Sequence, residues 1–582
     1  MENIVLETST KGGAWLIEDI DVDTFTPEKL SDEHRLIAQT ADELMTTEVF
    51  PALARLEQKD WALARALVRR CGEIGLLGTD VPESLGGVGL DKAAAVVAGE
   101  AVGRSASFAA TFGAQTGLAI TPILCFGTPD QQQRYLPRLV SGEIVGAYAL
   151  SESESGSDAL GARARATKQA DGSYLLSGEK MWITNGGFAD LFIVFAKVDG
   201  EQFTAFIVER GFPGVSSGKE EHKMGLHGSS TTPLILQDAQ VPAANVLGEV
   251  GRGHKVAFNV LNYGRFKLAA MCSGGARAVI GEAARYALQR RQFGQPIAAF
   301  GAIRHKLAEM TIRQYAVESM LYRTTGLIDR MIASDGSAAA ALAALEEFAV
   351  EASILKVAAS EMLDYVLDEN VQIHGGNGFV KDYPAERHYR DARVNRIFEG
   401  TNEINRLLVP GMLARRAVKG HLPLIAAARR LQDELLTPSL PEAAGDGPMA
   451  AELRAVAALK KVALMVLGTA MQTYTDTLAD EQEVLTIAAD IIIDVFAAES
   501  VVARAIAADS DLHRNVASVL VADASGRVEI AARTALAAMA DGDTLRTLLA
   551  ALRRVMKISP VNTVAARRRI ADAVAERKGY PF

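Results

Sequence analysis

The segment Arg396–Arg406, RIFEGTNEINR, places one carboxylate between apolar and turn-forming residues. Glu399 follows an Ile-Phe pair and precedes Gly400 and Thr401. Burial beside apolar side chains disfavours the ionised form of a carboxylate and raises its pKa from about 4.3 toward the range that suits proton abstraction near neutral pH. The ordinary alternative is a solvated acid, with Thr401 and Glu403 serving only to start a helix. This segment alone leaves both interpretations open.

Two glycine-rich stretches were tested as nucleotide-binding loops, and neither has the required spacing. Gly214–Lys219 (GVSSGK) does not fit a phosphate-binding P-loop, and Glu83–Gly89 (ESLGGVG) does not complete GxGxxG. The sequence also contains no HExxH motif, so no metal site is predicted. No GxSxG places a serine on a nucleophile elbow either, so the sequence argues against both metal-assisted hydrolysis and serine acyl transfer.

The elements that must position this carboxylate are mostly helical. Apolar residues follow the helical period up to about residue 145. Short apolar runs separated by Gly, Asn and Asp then indicate strands and hairpins up to about residue 248, after which the helical pattern returns. We therefore predict a mainly α chain with a central β domain. The predicted domains are an N-terminal helical domain (1–145), a β domain (146–248), a helical bundle that carries Glu399 (249–415) and a C-terminal helical domain (416–582). The first domain begins with a polar leader, and its first helix is predicted to start at Thr26-Pro27. A loop at 437–448 is predicted to interrupt the last domain.

The composition limits the partners and the compartment. The 582 residues are 49% hydrophobic and 23% charged, which is typical of a globular chain with about three or four domains. A net charge of −10 argues against nucleic acid as a partner. Cys71, Cys125 and Cys272 form no CxxC pair, which suits a reducing cytosol. We find no secretory signal pattern and no run of about 20 uncharged apolar residues, so we expect a cytoplasmic protein.

Several further motifs carry a resemblance that covers most of the chain. In order and spacing, YALSESESGSD (148–158), MWITNGG (181–187), RRQFGQPI (290–297), QIHGGNGF (372–379) and RIFEGTNEINR are similar to the acyl-CoA dehydrogenases. The resemblance implies that family's body of a helical N-domain, a small β-barrel-like middle domain and a helical bundle. The additional block to residue 582 resembles the very-long-chain type, which carries a C-terminal helical extension.

The implied reaction is FAD-dependent formation of the α,β double bond of an acyl-CoA thioester. By resemblance, Glu399 is the base that removes the α-proton, and its own backbone N–H helps to hold the thioester oxygen. Some family members place the base in the helix just before the LAA run. Here that position reads Asn262-Tyr263-Gly264-Arg265 and offers no acid, so Glu399 is the candidate that fits.

The resemblance also assigns cofactor and substrate contacts. The implied FAD contacts are Tyr148, Leu150, Ser151, Ser157, Trp182, Thr184, Thr401 and Glu403, together with Arg290, Gln292, Phe293, Gln372, Gly375 and Gly376, which reach the FAD of a neighbouring subunit. The implied substrate contacts are Ser157, Arg265, Gly400 and an acyl channel lined by Ala110, Ala114 and Leu118 at i, i+4 and i+8 of one helix. The two small alanines favour a long acyl chain, although alanine also suits a tight helix crossing.

One loop departs from the family pattern TEPGAGSD. Here it reads SESESGSD, in which Ser153 replaces the proline and Glu154 is an added acid. Losing a proline lowers the pre-organisation of a turn, typically by about 0.4 to 1 kcal/mol. We therefore expect a looser loop beside the flavin and the substrate.

The partners are also expectations from the resemblance. We expect electrons to pass to an electron-transfer flavoprotein and the C-terminal domain to limit assembly to a homodimer. The alternatives are an acyl-CoA oxidase, which reoxidises its flavin with oxygen, and a non-catalytic assembly or binding factor of the same fold. The basic segments Leu545–Lys557 and Ala566–Lys578 suggest either peripheral membrane contact or, as such charge runs more often are, a solvated helix face.

Overall fold

A computed structural model describes residues 11–333, 338–436 and 447–582 of the chain. Helices come first, a mixed β-sheet follows, and two further groups of helices complete the chain. This order confirms the predicted mainly α fold with a central β domain. The exact domain boundaries stay predictions, and most of the loop predicted at 437–448 lies outside the described residues.

The first helical group packs in front of the sheet. Its helices are α1 (Asp32–Leu44), α2 (Phe50–Glu57), α3 (Trp61–Glu73), α4 (Lys92–Val102), α5 (Ala106–Gly113), α6 (Thr121–Phe126) and α7 (Pro129–Val140). The helix predicted to start at Thr26-Pro27 is only a 3-10 turn, Pro27–Lys29. Helix α1 instead starts after Ser31, whose hydroxyl accepts a hydrogen bond from the His34 N–H at 3.2 Å.

The segment Ala106–Phe126 corrects the expectation about uncharged runs. Its 21 residues reach a mean hydropathy of 1.3, so by length and composition it is a candidate membrane span. The core helix of a globular protein passes the same test, and 72% of the most apolar window lies buried inside the protein. Here the segment serves as a core helix of the first domain.

The predicted polar leader is wrong for residues 12–16, which are buried. Trp15 and Leu16 are buried, and the Trp15 indole N–H donates to a Glu351 carboxylate oxygen at 2.9 Å. The same indole lies 4.7 Å from the ring of Phe496, measured between ring centroids. The leader therefore links the helical bundle to the C-terminal domain.

The central sheet is built from β1 to β8. These are β1 (Gly146–Ala149), β2 (Arg165–Lys168), β3 (Tyr174–Thr184), β4 (Leu191–Val198), β5 (Gln202–Glu209), β6 (Val215–Ser217), β7 (Thr231–Val241) and β8 (Val246–Leu247). The strand order is β6-β7-β3-β2-β4-β5-β8, and β1 pairs in parallel with β4. Consecutive residues of strands β4 and β5 are buried, so side chains on both faces of these strands are covered by other parts of the protein. Such strands are apolar on both faces.

The bundle is formed by long helices and carries Glu399 between two of its elements. It comprises α8 (Gly253–Gln289), a hairpin of β9 (Arg291–Gln292) and β10 (Gln295–Pro296), α9 (Gly301–Ala333), α10 (Ala338–Glu347), α11 (Ala349–His374), α12 (Ala385–Ala392) and α13 (Asn402–Val418). Helices α8 and α11 pack along one another. Helices α8 and α11 carry Arg265 and Lys356, whose charges act on Glu399.

The C-terminal domain packs on the bundle through buried charge. Its helices are α14 (Leu424–Leu436), α15 (Ala450–Tyr474), α16 (Gln482–Ala508), α17 (Asp511–Met539), α18 (Gly542–Val555) and α19 (Thr563–Arg577). Arg504 on α16 pairs with Glu318 on α9 at 2.7 Å, and Arg567 on α19 pairs with Glu309 at 2.6 Å. One arginine of the basic segments therefore points into the protein. The leucines of α18 also pack against the domain core, which favours the interpretation as a partly solvated helix.

Candidate functional site

The loop that carries Glu399 is fixed by local hydrogen bonds. Glu399 and Gly400 both have positive φ, 58° and 77°, so the backbone turns sharply just before α13. The Asn405 side-chain amide donates to the carbonyls of Gly400 at 2.8 Å and of Thr401 at 3.0 Å. The Thr401 hydroxyl accepts from the Ile404 N–H at 3.2 Å and caps α13. Non-glycine residues with positive φ are strained and are found most often at functional sites, where contacts with the surrounding structure hold them in place.

Glu399 itself has the environment of a general base. Its Oε2 is buried and has no hydrogen-bond partner among the described residues. Burial raises the pKa of Glu399 to about 7, while the positive charges of Arg265 and Lys356 act in the opposite direction. About half of such carboxylates are ionised at neutral pH, which suits proton abstraction.

A glycine on α8 makes room for this carboxylate. A Cβ at Gly264 would lie 2.6 Å from Glu399 Oε2. The next residue, Arg265, is also buried, and its Nε donates to the Glu399 carbonyl at 3.0 Å while a terminal nitrogen donates to Asn262 at 3.0 Å. Arg265 was predicted to contact substrate. In the structure its hydrogen bonds hold the backbone of the base.

A second group of predicted residues lies where β1 and β3 meet. The Met181 N–H donates to the Ser151 carbonyl at 2.9 Å, which brings the two motifs side by side. A register shift between Lys180 and Ile183 leaves Trp182 at φ 58° and 56% exposed. Ser151 and Thr184 are both half-buried, and neither hydroxyl has a hydrogen-bond partner among the described residues. An exposed indole beside two free hydroxyls fits the flat, polar-edged ring system of a flavin.

Tyr148 connects this face to the base. Burial, and after it the charge of Glu399, raise the pKa of Tyr148 well above its usual range, so the two side chains lie in the same electrostatic environment. The Leu150 side chain is buried in the core, which leaves only its backbone for a cofactor contact. Glu403 is exposed at the first turn of α13. These positions stay predictions as cofactor contacts.

The loop 151–158 is more firmly held than its sequence suggested. Glu152 pairs with the buried Lys180 at 2.6 Å and accepts the Arg163 N–H at 2.6 Å. The added acid, Glu154, pairs with the Arg163 side chain at 2.5 Å on the surface. The expectation of a loosened loop is therefore not supported by these contacts. Ser157 is exposed at the loop tip, where a ligand can reach it.

The residues predicted to reach a neighbouring subunit form one exposed surface. The Tyr286 ring stacks on His374 at 4.0 Å, and this contact joins the β9–β10 hairpin region to the QIHGGNGF segment. Phe293 at the hairpin turn is 92% exposed. The other predicted residues of this surface, all exposed, are Arg290, Gln292, Gln372, Gly375 and Gly376. An added Cβ at Gly375 or Gly376 would meet no atom within 4 Å, so the backbone at both glycines is accessible to solvent.

The predicted acyl-channel helix is not one continuous α-helix. Residues Ala114–Ile120 form a π-helical segment between α5 and α6, and the acyl-channel role of Ala110, Ala114 and Leu118 stays a prediction. Ala114 is buried, while Ala110 and Leu118 are half-buried. Leu118 and Tyr148 both pack against the same hydrophobic cluster. The π-helical turn was not predicted because apolar periodicity does not distinguish it from an α-helix.

A cavity of about 520 Å³ lies elsewhere, between α2, α5, α8, α11 and α12. Its lining includes Arg104, Glu282 and His388 and none of the predicted site residues.

Sequence reasoning missed three residues that shape the base. They are Gly264, Asn405 and Lys356. Lys356 had a usable signal, because it is a lone charged residue in the apolar run ILKVAA of a buried helix.

Known proteins resemble this chain along its whole length. A probable acyl-CoA dehydrogenase of Bacillus subtilis is 46% identical over 98% of both chains. Models of the acyl-CoA dehydrogenase N-terminal, middle and C-terminal domains match residues 31–143, 147–239 and 251–413, and a further C-terminal domain model matches 458–554. The chain belongs to the acyl-CoA dehydrogenase family. The crystal structure of an acyl-CoA dehydrogenase of Bacillus anthracis, complexed with FAD, superimposes with a TM-score of 0.96 at 46% identity and covers 98% of this chain and all of that one.

Dehydrogenases of different chain-length classes are similar to nearly the same extent. A very-long-chain enzyme of Macaca fascicularis is 40% identical over 66% of this chain and 62% of its own. A short-chain enzyme of Bos taurus is 39% identical over 66% of this chain and 91% of its own. The family is thus established together with FAD as its cofactor, whereas the acyl chain length is not decided by similarity.

Proposed function

We propose that this acyl-CoA dehydrogenase removes the α-proton of a long or very long acyl-CoA with Glu399 and forms the trans-2-enoyl-CoA of fatty-acid β-oxidation. The observation that carries this proposal is a carboxylate with one buried, unpartnered oxygen and a pKa raised to about 7, whose charge also acts on Tyr148. No other predicted site residue combines these properties.

The chain's own residues account for the proton step. The ionised Glu399 takes the α-proton, and the rigid loop fixes where its carboxylate meets the substrate. The Glu399 backbone N–H has no acceptor within the described residues, so it is free to donate to the thioester oxygen and favour loss of the α-proton. Ser151, Trp182 and Thr184 would hold the flavin. FAD, when bound, supplies the acceptor for the hydride that leaves the β-carbon.

Anaerobic titration with palmitoyl-CoA tests this function directly. Flavin absorbance should bleach as substrate is added, and no bleaching with any acyl-CoA would favour the non-catalytic alternative. Comparison of C4, C8 and C16 acyl-CoA then tests chain length. The small side chains of Ala110 and Ala114 support a long tail, and a clear preference for C4 would contradict that part of the proposal.

The electron acceptor is a separate part of the proposal. We propose an electron-transfer flavoprotein, in keeping with the dehydrogenase family. Turnover with that acceptor and little peroxide in air is the expected result. Rapid stoichiometric peroxide production would instead identify an oxidase.

We further propose a homodimer in which each subunit completes the FAD site of the other. The exposed surface around Phe293 and Gly375 supports this, because Phe293 is 92% exposed there and a second subunit would bury it. Light scattering of the FAD-loaded protein should give twice the chain mass, and a tetramer would contradict the proposal. A cytoplasmic location with peripheral membrane contact is likewise proposed; flotation with anionic vesicles tests the membrane contact.

A further inference from the structure

Lys356 is a fully buried cation that lacks a salt-bridge partner among the described residues. It lies on α11 with 0% of its surface exposed. Its Nζ donates to the Asn402 side-chain oxygen at 2.6 Å. Burying an ammonium group without a carboxylate beside it is costly, so such a group is retained only where something offsets that cost.

The hydrogen bonds of Asn402 place Lys356 directly behind the base loop. Asn402 is the first residue of α13, three residues after Glu399. Its side-chain nitrogen donates to Ser360 at 3.0 Å and to Glu361 at 3.0 Å. All four residues of this network are therefore tied to the start of the helix that follows the base.

The charges around Lys356 make Glu399 its main electrostatic partner. Burial lowers the pKa of Lys356 to about 8, and among nearby charges Glu399 acts most strongly in the opposite direction. Cys272 and Arg265 on α8 and Glu403 on α13 also face the ammonium.

Neither Glu361 nor Tyr148 supplies a free negative charge to Lys356. Glu361 is committed to Arg406 by two hydrogen bonds, at 2.6 and 2.9 Å. Burial, and after it the charge of Glu399, hold the pKa of Tyr148 well above its usual range, so Tyr148 is neutral. Lys356 and Glu399 thus both lack a salt bridge among the described residues, and the charge of each favours the ionised form of the other.

We propose that Lys356 is a positioning residue for proton abstraction: its ammonium, anchored on Asn402, favours the ionised carboxylate of Glu399 without touching substrate. Burial alone would keep Glu399 protonated at neutral pH. Arg265 on α8 and Lys356 on α11 both offset that effect. This inference rests on Glu399 being the base, as proposed above.

The test is the pH dependence of kcat/KM in three variants of the FAD-loaded protein. Lys356→Met removes the charge at similar volume, Lys356→Gln also removes it but keeps a donor for Asn402, and Lys356→Arg keeps the charge. Loss of the cation should raise the pKa of Glu399. The acid limb of both neutral variants should then move up by about one pH unit, which lowers activity about tenfold at pH 6 and restores it near pH 9. Lys356→Arg should retain the wild-type profile.

A second readout does not depend on turnover. The rate at which the α-hydrogen of bound acyl-CoA exchanges with deuterated solvent should show the same displaced pH profile, while FAD content stays unchanged. A loss of activity that is equal at all pH values would overturn the proposal, because a purely structural lysine would act that way. Failure of both neutral variants to bind FAD, with a normal Lys356→Arg protein, would also count against it.

Failure of this inference and failure of the proposed base can be told apart. If Lys356 is not a positioning residue but Glu399 is the base, Glu399→Gln is inactive while the Lys356 variants keep the wild-type acid limb. If Glu399→Gln stays active, the base assignment itself has failed.

Discussion

Replacing Glu399 by glutamine should abolish catalysis and at the same time stabilise the protein. Glutamine has nearly the same shape, so the packing against Gly264 is kept while the ionisable group is removed. General bases contribute about a hundredfold to ten-thousandfold in rate. We therefore expect kcat to fall by at least about a hundredfold at every pH, because no other carboxylate stands at the base position.

The stability gain follows from the raised pKa of Glu399. The ordinary value is 4.5 and the folded value is about 7, a difference worth roughly 3 kcal/mol. A group whose pKa is raised on folding contributes stability that is complete below pH 4.5 and is lost as the pH rises through about 7. Glu399→Gln does not lose this contribution. The variant should therefore be more stable than the wild type above pH 7, by up to roughly 3 kcal/mol, a figure in which the opposing charges of Arg265 and Lys356 are already included.

Both effects can be measured on one preparation. Anaerobic stopped-flow bleaching of the flavin gives the rate, and urea unfolding at pH 5 and pH 8.5 gives the stability difference. Glu43→Gln, an exposed glutamate on α1, is the matched control and should change neither quantity. Near-normal turnover of Glu399→Gln would refute the mechanism. An unchanged or lower stability at pH 8.5 would show that Glu399 is not held in a desolvated environment.

Other contacts of the fold give three further predictions. Gly264→Ala would place a Cβ 2.6 Å from Glu399 Oε2, so activity should drop sharply while FAD stays bound. The control is Gly411→Ala, whose new Cβ has no atom within 4 Å and which should have wild-type activity in the same assay. Trp15→Ala should cost about 3 to 5 kcal/mol in urea unfolding because the buried indole loses its packing, and a cost below 1 kcal/mol would show that the leader is not part of the core. Phe293→Asp should yield monomers with little bound FAD by light scattering and absorbance, and an intact FAD-loaded dimer would contradict the shared site.

The sequence by itself determined the architecture, the family and the identity of the candidate base. Periodicity distinguishes helix from strand over long stretches, which is why the order of the helical and β regions was predicted correctly. The motifs around Glu399 and Trp182 are short and contiguous, so they can be recognised in the sequence without knowledge of the tertiary structure. The absence of an acid in Asn262–Arg265 needed nothing beyond the printed residues.

Only the tertiary structure decided what surrounds the base and how the chain ends are used. The charge of Lys356 reaches Glu399 across more than forty residues of sequence, and Gly264 becomes meaningful only when α8 packs against the base loop. The predicted polar leader was wrong because Trp15 finds a buried carboxylate on a helix more than three hundred residues away. The local sequence pattern does not predict contacts between residues that are far apart in the chain. Desolvation, which raises the pKa of Glu399 to about 7, is a property of everything packed around it, and no single segment of sequence contains it.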